Sequence, residues 1–299
     1  MGFNPLPYLR LCRPANLPTA AADIIAGVAL AGGLSSSVSY QPFFGDYTSP
    51  ILLVIASILL YAGGVVLNDA FDYELDTIER PERPIPSGDV SIRHAFLFGF
   101  TLLGLGVLMA FMVNLHSGLV ASLLAMAIVL YDAISKKHAF FGPLNMGVCR
   151  SLNLLLGISV FGAFNHWYYM IIPLVFIGAV TSVSRGEVHG SNKRNILLAG
   201  FLYLIVIFCV IYFNQIENRM GNYYLLFLLL FAIMVFTPLI RAYRTNTPDN
   251  IKKAVIAGVL SLVVLDAAIA AGHAYWLIAI LLVLLLPLSI FLSKLFSVT

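Results

Sequence analysis

Charged side chains are scarce in this sequence. Only 10% of its 299 residues are Asp, Glu, Lys or Arg, whereas 60% are hydrophobic, and a soluble domain carries about 25% charged residues. The scarcity of charge excludes an ordinary soluble domain. It also excludes a nucleic-acid-binding surface, because the net charge of +3 is not concentrated in a basic patch.

Cysteine and the common catalytic motifs are scarce as well. The three cysteines, Cys12, Cys149 and Cys209, lack metal-ligand spacing, so the sequence predicts free thiols packed between helices and no disulfide. No HExxH, CxxC or Walker pattern occurs, which argues against zinc-protease and P-loop chemistry. A short signal-peptide pattern is also missing, because Arg10 and Arg13 precede an apolar run of spanning length.

Long apolar runs dominate the chain instead. Each run is close to the ~20 residues that a helix needs to cross ~30 Å of hydrocarbon, and open, unpaired backbone is not tolerated in lipid. The pattern therefore predicts an all-α, polytopic transmembrane bundle that forms one domain over residues 1–299. Nine helices remain an alternative to ten, because only Gly272 and His273 separate the last two runs. The ten predicted spans are 15–34, 49–68, 95–113, 117–133, 141–162, 167–184, 196–213, 222–240, 252–271 and 274–293.

Basic residues are divided unequally between the loops. If the N-terminus is cytoplasmic, 15 of the 17 Lys and Arg residues lie in cytoplasmic segments. The two exceptions are Arg150, inside a span, and Arg219. This distribution follows the positive-inside rule. It predicts a multi-pass integral protein, which we expect in a bacterial inner membrane, with the polar, chemistry-bearing loops on the cytoplasmic side.

The stretch VVLNDAFDYELDTIERPERPIPSG, residues 65–88, concentrates acidic side chains at the end of the second predicted span. On a helix that continues past Leu67, five polar residues fall within about a 100° arc: Asn68, Asp69, Asp72, Asp76 and Glu79. Glu74 points the opposite way. Carboxylates on one strip repel each other at low dielectric unless a cation neutralises them, and hard oxygen ligands suit Mg²⁺.

Arg80 and Arg83 follow this strip within one turn, where they can contact phosphate oxygens. The stretch therefore predicts a site for Mg²⁺ and a phosphate group. Two simpler interpretations are a solvated acidic face beside the membrane and a helical hairpin held by Glu–Arg pairs.

Three segments together resemble a known family. They are Asn68-Asp69-x-x-Asp72-x-x-x-Asp76 followed by R-P-x-R-P-x-P-S-G, Arg13-Pro14-Ala15-Asn16, and Tyr131-Asp132-x-x-x-Lys136-Lys137. The first is similar to the first aspartate-rich motif of the UbiA superfamily of intramembrane prenyltransferases. The resemblance implies a helical bundle that binds a prenyl diphosphate and Mg²⁺ at a cytoplasmic polar cap.

The second acidic motif of that family, often D-x-E-G-D, has lost most of its acidic residues in this chain. The corresponding stretch is SVSRGEVHGSNKR, residues 182–194, where Glu187 stands for the first carboxylate and His189 and Ser191 replace acids. Lys193 and Arg194 would then bind phosphate directly. S-R-G-E-V-H-G at 184–190, together with C-R-S-L-N-L-L-L-G at 149–157, resembles the UbiA-like branch called EboC.

Arg150 is the one basic residue expected inside the apolar bundle. An unpaired guanidinium is costly in lipid, so we expect it to face the cavity and to pair with a diphosphate or with a carboxylate. Asp23 and Asp266 are intramembrane acids that are candidates for that pairing. A purely structural ion pair remains an alternative to a substrate contact.

The resemblance implies Mg²⁺-dependent transfer of a prenyl group from a polyprenyl diphosphate to a small-molecule acceptor in the lipid bilayer. The sequence determines neither the acceptor nor the oligomeric state. The implied metal-binding and catalytic carboxylates are Asp69, Asp72, Asp76 and Glu187. The implied substrate-binding residues are Asn16, Asn68, Arg83, Lys136, Lys137, Asn145, Arg150, Lys193 and Arg194.

Two other classes compete with this hypothesis. A non-catalytic carrier of isoprenoid precursors fits the loss of carboxylates from the second motif. A CDP-alcohol phosphotransferase would also be intramembrane and Mg²⁺-dependent, but its D-x-x-D-G-x-x-A-R pattern is interrupted here, because Tyr73 follows Asp72.

Overall fold

The computed structural model describes residues 4–32, 34, 47–184, 193–217 and 221–296. All of the regular structure in these residues is helical, which confirms the predicted all-α class. The helices are α1 (Leu6–Leu11), α2 (Leu17–Leu30), α3 (Thr48–Phe71), α4 (Tyr73–Glu79), α5 (Ile92–Val113), α6 (Leu115–Ala133), α7 (Phe141–Ile158), α8 (Ile171–Ser184), α9 (Lys193–Glu217), α10 (Tyr224–Arg244), α11 (Pro248–Ala271), α12 (Trp276–Val283) and α13 (Leu285–Leu295).

Within the described residues, nine helical segments are long and apolar enough to cross a membrane. The chain is therefore an integral membrane protein. The first predicted span, 15–34, differs from the others because α2 has only 14 residues, or about 21 Å at 1.5 Å per residue. The last two predicted runs are separate helices, since α11 ends at Ala271 and α12 begins at Trp276.

The short helix α2 lies at the centre of the bundle. It packs against α3, α7 and α11, and Ala22, Ala26 and Ala29 on it are fully buried. Small residues let helix backbones approach closely where no hydrophobic force drives helices together in lipid. By contrast, α5, α9 and α10 leave many of their large apolar side chains exposed on the outside of the bundle, as helices that face lipid do.

Two glycines make the contact between α2 and α7 possible. A Cβ atom added at Gly27 would lie 2.5 Å from the backbone oxygen of Leu154, and one added at Gly157 would lie 2.5 Å from the backbone oxygen of Ile24. Neither neighbour is a flexible side chain, so a larger residue at either position forces the two helices apart.

We expect Gly27→Ala to destabilise the protein by about 1–3 kcal/mol, the usual cost of overpacking a tight contact. Gly104→Ala is the matched control, because nothing lies within 4 Å of a Cβ atom added at Gly104 on α5. The melting temperature of each variant in detergent measures the difference. Equal melting temperatures for the two variants would contradict the close contact.

The three cysteines are free, as the sequence predicts. Cys12 ends α1 outside the spanning helices, and burial raises the pKa of its thiol to about 11. The thiol is therefore protonated at neutral pH. Cys12 packs against a buried apolar cluster that includes Leu11 and Val66.

Residues that are far apart in the chain meet at one end of the bundle. Side-chain contacts join the segment before α2 to the end of α3, and the end of α3 to the end of α6. This polar cap, formed by the start of α2, the end of α3, α4 and the end of α6, is the region that carries the predicted site residues.

Candidate active site

The predicted acidic strip is present in the polar cap. Asp72 separates α3 from α4, but helical hydrogen bonds continue through it. Its N–H donates to the Asn68 oxygen at 3.0 Å, and its own oxygen accepts from the Asp76 N–H at 2.8 Å. Asp69 and Asp76 are buried with 5% and 3% exposure, and Asp72 is partly exposed. Glu74 is exposed, and its position on the opposite side stays a prediction. Glu79, the last residue of α4, is exposed, and its place on the strip stays a prediction.

Basic side chains neutralise the strip in this structure. Arg83 Nη1 lies 2.6 Å from Asp76 Oδ2 and 3.2 Å from Asp69 Oδ1. Arg13 donates a second hydrogen bond to Asp69. Lys136 Nζ lies 2.7 Å from Asp72 Oδ1. The sequence predicts a metal ion between these carboxylates and phosphate contacts for Arg83 and Lys136. In the structure the acidic and basic side chains instead pair directly with each other. Metal binding stays a prediction.

A tight turn after α4 returns Arg83 to the acidic strip. The Ser87 N–H donates to the Arg83 oxygen at 2.9 Å, and the Val90 N–H donates to Pro84 at 2.9 Å. Gly88 has φ +85°, a conformation that side chains rarely adopt. Val90 is 1% exposed, so this turn is anchored in the apolar core and holds the guanidinium in place.

Asn68 connects the strip to α6. Its amide Nδ2 donates to Asp132 Oδ1 at 2.7 Å, and its backbone oxygen accepts a hydrogen bond from Lys136 at 3.4 Å. Arg13 and Asp132 are not among the site residues predicted from the sequence, although Arg13 stands in the motif R-P-x-N and Asp132 in the motif Y-D-x-x-x-K-K. Their motif positions are the only sequence signal for them.

A cavity of about 430 Å³ extends from the cap into the bundle. Arg13, Asn16, Asn68 and Asp132 line its polar end, and Thr19, Ser57, Asn153 and Arg150 also contribute to its wall. Most of the remaining wall is apolar and comes from α3, α6, α8 and α11. Its apolar residues include Leu60, Leu124, Ile128, Val180, Val255 and Leu262.

Arg150 belongs to a buried network rather than to the cap. Its Nε lies 2.7 Å from Asp23 Oδ2, and its Nη2 donates to the Thr19 oxygen at 2.6 Å. Asn153 Nδ2 also donates to Asp23 Oδ2, at 2.8 Å. The sequence leaves open whether Arg150 pairs with a diphosphate or with a carboxylate. In the structure it forms an ion pair with the Asp23 carboxylate. A substrate contact by this residue stays a prediction.

Four other predicted residues are not among those that line this cavity: Lys137, Asn145, Lys193 and Arg194. Asn145 donates to the Ala127 oxygen at 3.2 Å and to the Ser135 hydroxyl at 3.1 Å, so it joins α7 to the end of α6. Lys137 and Arg194 are exposed. Lys193 lies 5.6 Å from the centre of the Tyr243 ring.

Glu187 lies outside the described residues, and so do His189 and Ser191. The second acidic motif is therefore not part of the site described here. The EboC-like resemblance also depends mainly on these residues and stays a prediction.

The donor chemistry of the cap fits Mg²⁺. No group of three or more His, Cys, Asp or Glu side chains in the described residues is arranged to hold a metal ion. Mg²⁺ does not need such a group, because it usually takes one or two carboxylates and completes its shell with water and substrate phosphates. Hard oxygens from Asn68, Asp69 and Asp72 suit an ion that arrives with a phosphate.

These features define a class: an integral membrane bundle in which a cap of acidic and basic side chains covers a largely apolar cavity. Residues 22–184, more than half of the chain, match the model of the UbiA prenyltransferase family. The chain belongs to this family, which confirms the resemblance drawn from the motifs.

Curated relatives share part of the sequence. The chain is 34% identical over 158 residues to a digeranylgeranylglyceryl phosphate synthase of Methanosarcina barkeri, which is 52% of this chain and 55% of the relative. Against the synthase of Saccharolobus solfataricus it is 29% identical over 194 residues, 63% of this chain and 66% of the relative. The chain thus spans about half the length of the first of these relatives. The relatives are archaeal, and a bacterial inner membrane stays a prediction.

Solved structures share the fold over most of the chain. A structure described for a digeranylgeranylglyceryl phosphate synthase in membranes has a TM-score of 0.68 at 22% identity and covers 89% of this chain and 97% of its own. A UbiA homologue of Archaeoglobus fulgidus bound to GPP and Mg²⁺ has a TM-score of 0.61 at 16% identity and covers 88% of this chain and 99% of its own. At these identities the likeness establishes the fold alone.

Proposed function

We propose that this protein transfers a prenyl group from a prenyl diphosphate to an acceptor held in the bundle, with Mg²⁺ as cofactor. The observation that carries the proposal is the direct junction between the charged cap and the cavity beneath it. Asn68 and Asp132 line the same cavity as Leu60, Leu124 and Leu262. A molecule with a diphosphate head and a hydrocarbon tail matches both parts.

Residues of the cap would bind the head of this donor. Asp69, Asp72 and Asp76, with Asn68 and Glu187, would hold Mg²⁺ against the diphosphate. The ion, when bound, supplies Lewis-acid stabilisation of the leaving pyrophosphate. Because Arg13, Arg83 and Lys136 already neutralise these carboxylates, a cation and a phosphate that arrive together can exchange partners without leaving an unpaired charge.

The basic residues would favour the transition state over the bound donor. Negative charge increases on the pyrophosphate as its bond to the prenyl carbon breaks, and positioned cations stabilise that increase more than the starting state. Arg13, Arg83 and Lys136 are held by carboxylates at the cap, and Lys137 lies on the adjoining turn. The apolar wall of the cavity would exclude water from the allylic carbon, so that the acceptor reacts in place of water.

The class of acceptor is suggested by the relatives, which are called digeranylgeranylglyceryl phosphate synthases. We propose an acceptor with a glyceryl phosphate head group. Such a head group needs a cation apart from those around the diphosphate. Val255, Val259 and Leu262 of α11 line the cavity, and Lys252 lies on the same helical face, one turn toward the start of α11.

We expect Lys252→Gln to raise the KM for a glyceryl phosphate acceptor roughly tenfold or more, since a hydrogen bond between charged groups contributes about 1.5–3 kcal/mol. The KM for the prenyl diphosphate should not change. Lys253→Gln is the matched control, because Lys253 is also exposed but is rotated by about 100° from Lys252 around the helix, away from that face. Steady-state kinetics with each substrate varied in turn make the comparison. An equal effect of the two substitutions would refute the acceptor assignment.

The proposed reaction is tested with purified protein in lipid nanodiscs. Mg²⁺, a series of prenyl diphosphates and candidate acceptors, including geranylgeranylglyceryl phosphate and a membrane extract, are supplied, and products are identified by mass spectrometry. We expect a prenylated acceptor and one pyrophosphate for each product. Tight binding of the diphosphate without release of pyrophosphate would overturn the proposal and establish the carrier hypothesis instead.

A further inference from the structure

Asp132 has a buried carboxylate oxygen for which the described part of the chain provides no hydrogen-bond partner. The residue is 3% exposed near the end of α6. Its Oδ1 accepts the hydrogen bond from Asn68 at 2.7 Å, whereas Oδ2 is buried and has no hydrogen-bond partner among the described residues. Leaving a buried polar atom unsatisfied costs about 1–3 kcal/mol, and more when the group is charged.

The surroundings of Asp132 increase this cost. Asp69 and Asp72 are near enough for their charges to repel the Asp132 carboxylate, and Lys136 is the cation that offsets part of the repulsion. Lys136 is already engaged by Asp72 Oδ1 at 2.7 Å. The end of α6 therefore adds one more acidic group to a cap in which the carboxylates of the strip are already paired with Arg13, Arg83 and Lys136.

Asp132 also lines the cavity in which the proposed donor lies. A carboxylate facing a diphosphate is strongly unfavourable unless a cation lies between them. The hard oxygens of Asp132, Asn68 and Asp72 come from the ends of two different helices and suit a divalent cation such as Mg²⁺.

We propose that Asp132 is a further ligand of the divalent cation at the cap. The second acidic motif has only one carboxylate left, Glu187. Asp132 supplies an additional carboxylate from α6. The inference rests on the proposed function, since it takes the same cavity as the donor site. It adds a ligand that neither aspartate-rich motif contains.

The test uses the full-length protein and Mn²⁺ as the probe, with free Mn²⁺ measured by electron paramagnetic resonance. We expect Asp132→Asn to weaken Mn²⁺ binding by at least the roughly 10–100-fold that loss of an outer-shell partner costs. Asp89→Asn is the control, because Asp89 is an exposed acid of the α4–α5 connection and should leave the affinity unchanged. Unchanged affinity in Asp132→Asn would overturn the proposal and make Asp132 a structural acceptor for Asn68.

Folding is checked by melting temperature in EDTA. Asp132→Asn keeps the acceptor for Asn68 and removes the repulsion from Asp69 and Asp72, so we expect it to melt at or above the wild-type temperature without metal. Wild type should gain stability when Mn²⁺ is added, and the variant should gain little. An equal gain for both proteins would contradict a ligand role.

A change of metal preference gives a second, independent variant. Asp132→Cys should lose Mn²⁺ affinity and gain Cd²⁺ affinity, because a thiolate prefers the softer ion. The substitution is made in a Cys149→Ser background, since Cys149 lines the same cavity. No change of preference would refute direct contact with the metal.

These binding measurements are independent of the proposed reaction. If wild type binds Mn²⁺ through Asp132 but forms no product with any prenyl diphosphate, the prenyl transfer is wrong and the metal site stands. If wild type forms product while Asp132→Asn keeps its Mn²⁺ affinity, the reaction stands and Asp132 is not a ligand.

Discussion

Replacing Asp72 by asparagine is expected to lower the rate of prenyl transfer by roughly 10²–10³-fold, the usual cost of removing one group that stabilises charge in the transition state. The Asp72 side chain is 27% exposed, more than those of Asp69 and Asp76, and its ion-pair partner in the described residues is a single lysine. It is therefore the member of the strip most accessible to a cation that arrives with a diphosphate. Pyrophosphate release and product formation measure the loss.

Glu74→Gln is the matched control for this prediction. Glu74 lies two residues away in the same acidic motif, is exposed, and is predicted by the helical period to point to the opposite side. It should retain nearly the full rate, because neither the cavity nor the ion pairs involve it. If both substitutions reduce turnover equally, the rate depends on the total negative charge of the motif and not on the arrangement of carboxylates on one side of the helix.

Asp23→Ala is expected to destabilise the protein by about 3–5 kcal/mol, because it leaves the buried Arg150 without its ion-pair partner. Arg150 is 8% exposed and Asp23 is 1% exposed, so loss of the carboxylate leaves a charged side chain that is largely shielded from bulk water. The loss is measured as a lower melting temperature in detergent micelles.

Two further variants separate the ion pair from the packing around it. Asp23→Ala combined with Arg150→Leu should recover much of the stability, since replacing both members of a buried pair by apolar residues is often neutral or stabilising. Asp266→Asn should have a small effect, because an asparagine can still donate the side-chain hydrogen bond that links this position to Asp23. A double variant as unstable as Asp23→Ala would show that the pair is not the cause.

The helical architecture could be predicted from sequence because it depends on local properties. A run of about 20 apolar residues indicates a membrane-spanning helix, because a helix of that length crosses the hydrocarbon core. The arrangement of Asn68, Asp69, Asp72 and Asp76 on one face follows from the 3.6-residue period alone, and it is observed. Glu79, which is exposed at the end of α4, stays a predicted member of this face.

The partners of these side chains could not be predicted in the same way. Arg13 and Asp69 are 56 residues apart in the chain, and Asn68 and Asp132 are 64 apart. Which acid meets which base depends on how α2, α3 and α6 pack, and no local pattern carries that information. The sequence motif shows the negative charge of the carboxylates, and this charge led to the prediction of a metal ion between them. The motif does not show that the chain turns back after α4 and brings Arg83 to the same carboxylates.

The sequence by itself determined the membrane environment, the helices and the acidic face, since hydropathy and helical period act over one or two turns. Tertiary structure alone decided that α2 is a short, central helix held by Gly27 against α7, that Arg150 pairs with Asp23, and that Asp132 faces the cavity. These features result from contacts between distant segments, whose free energy depends on the shape of the whole bundle.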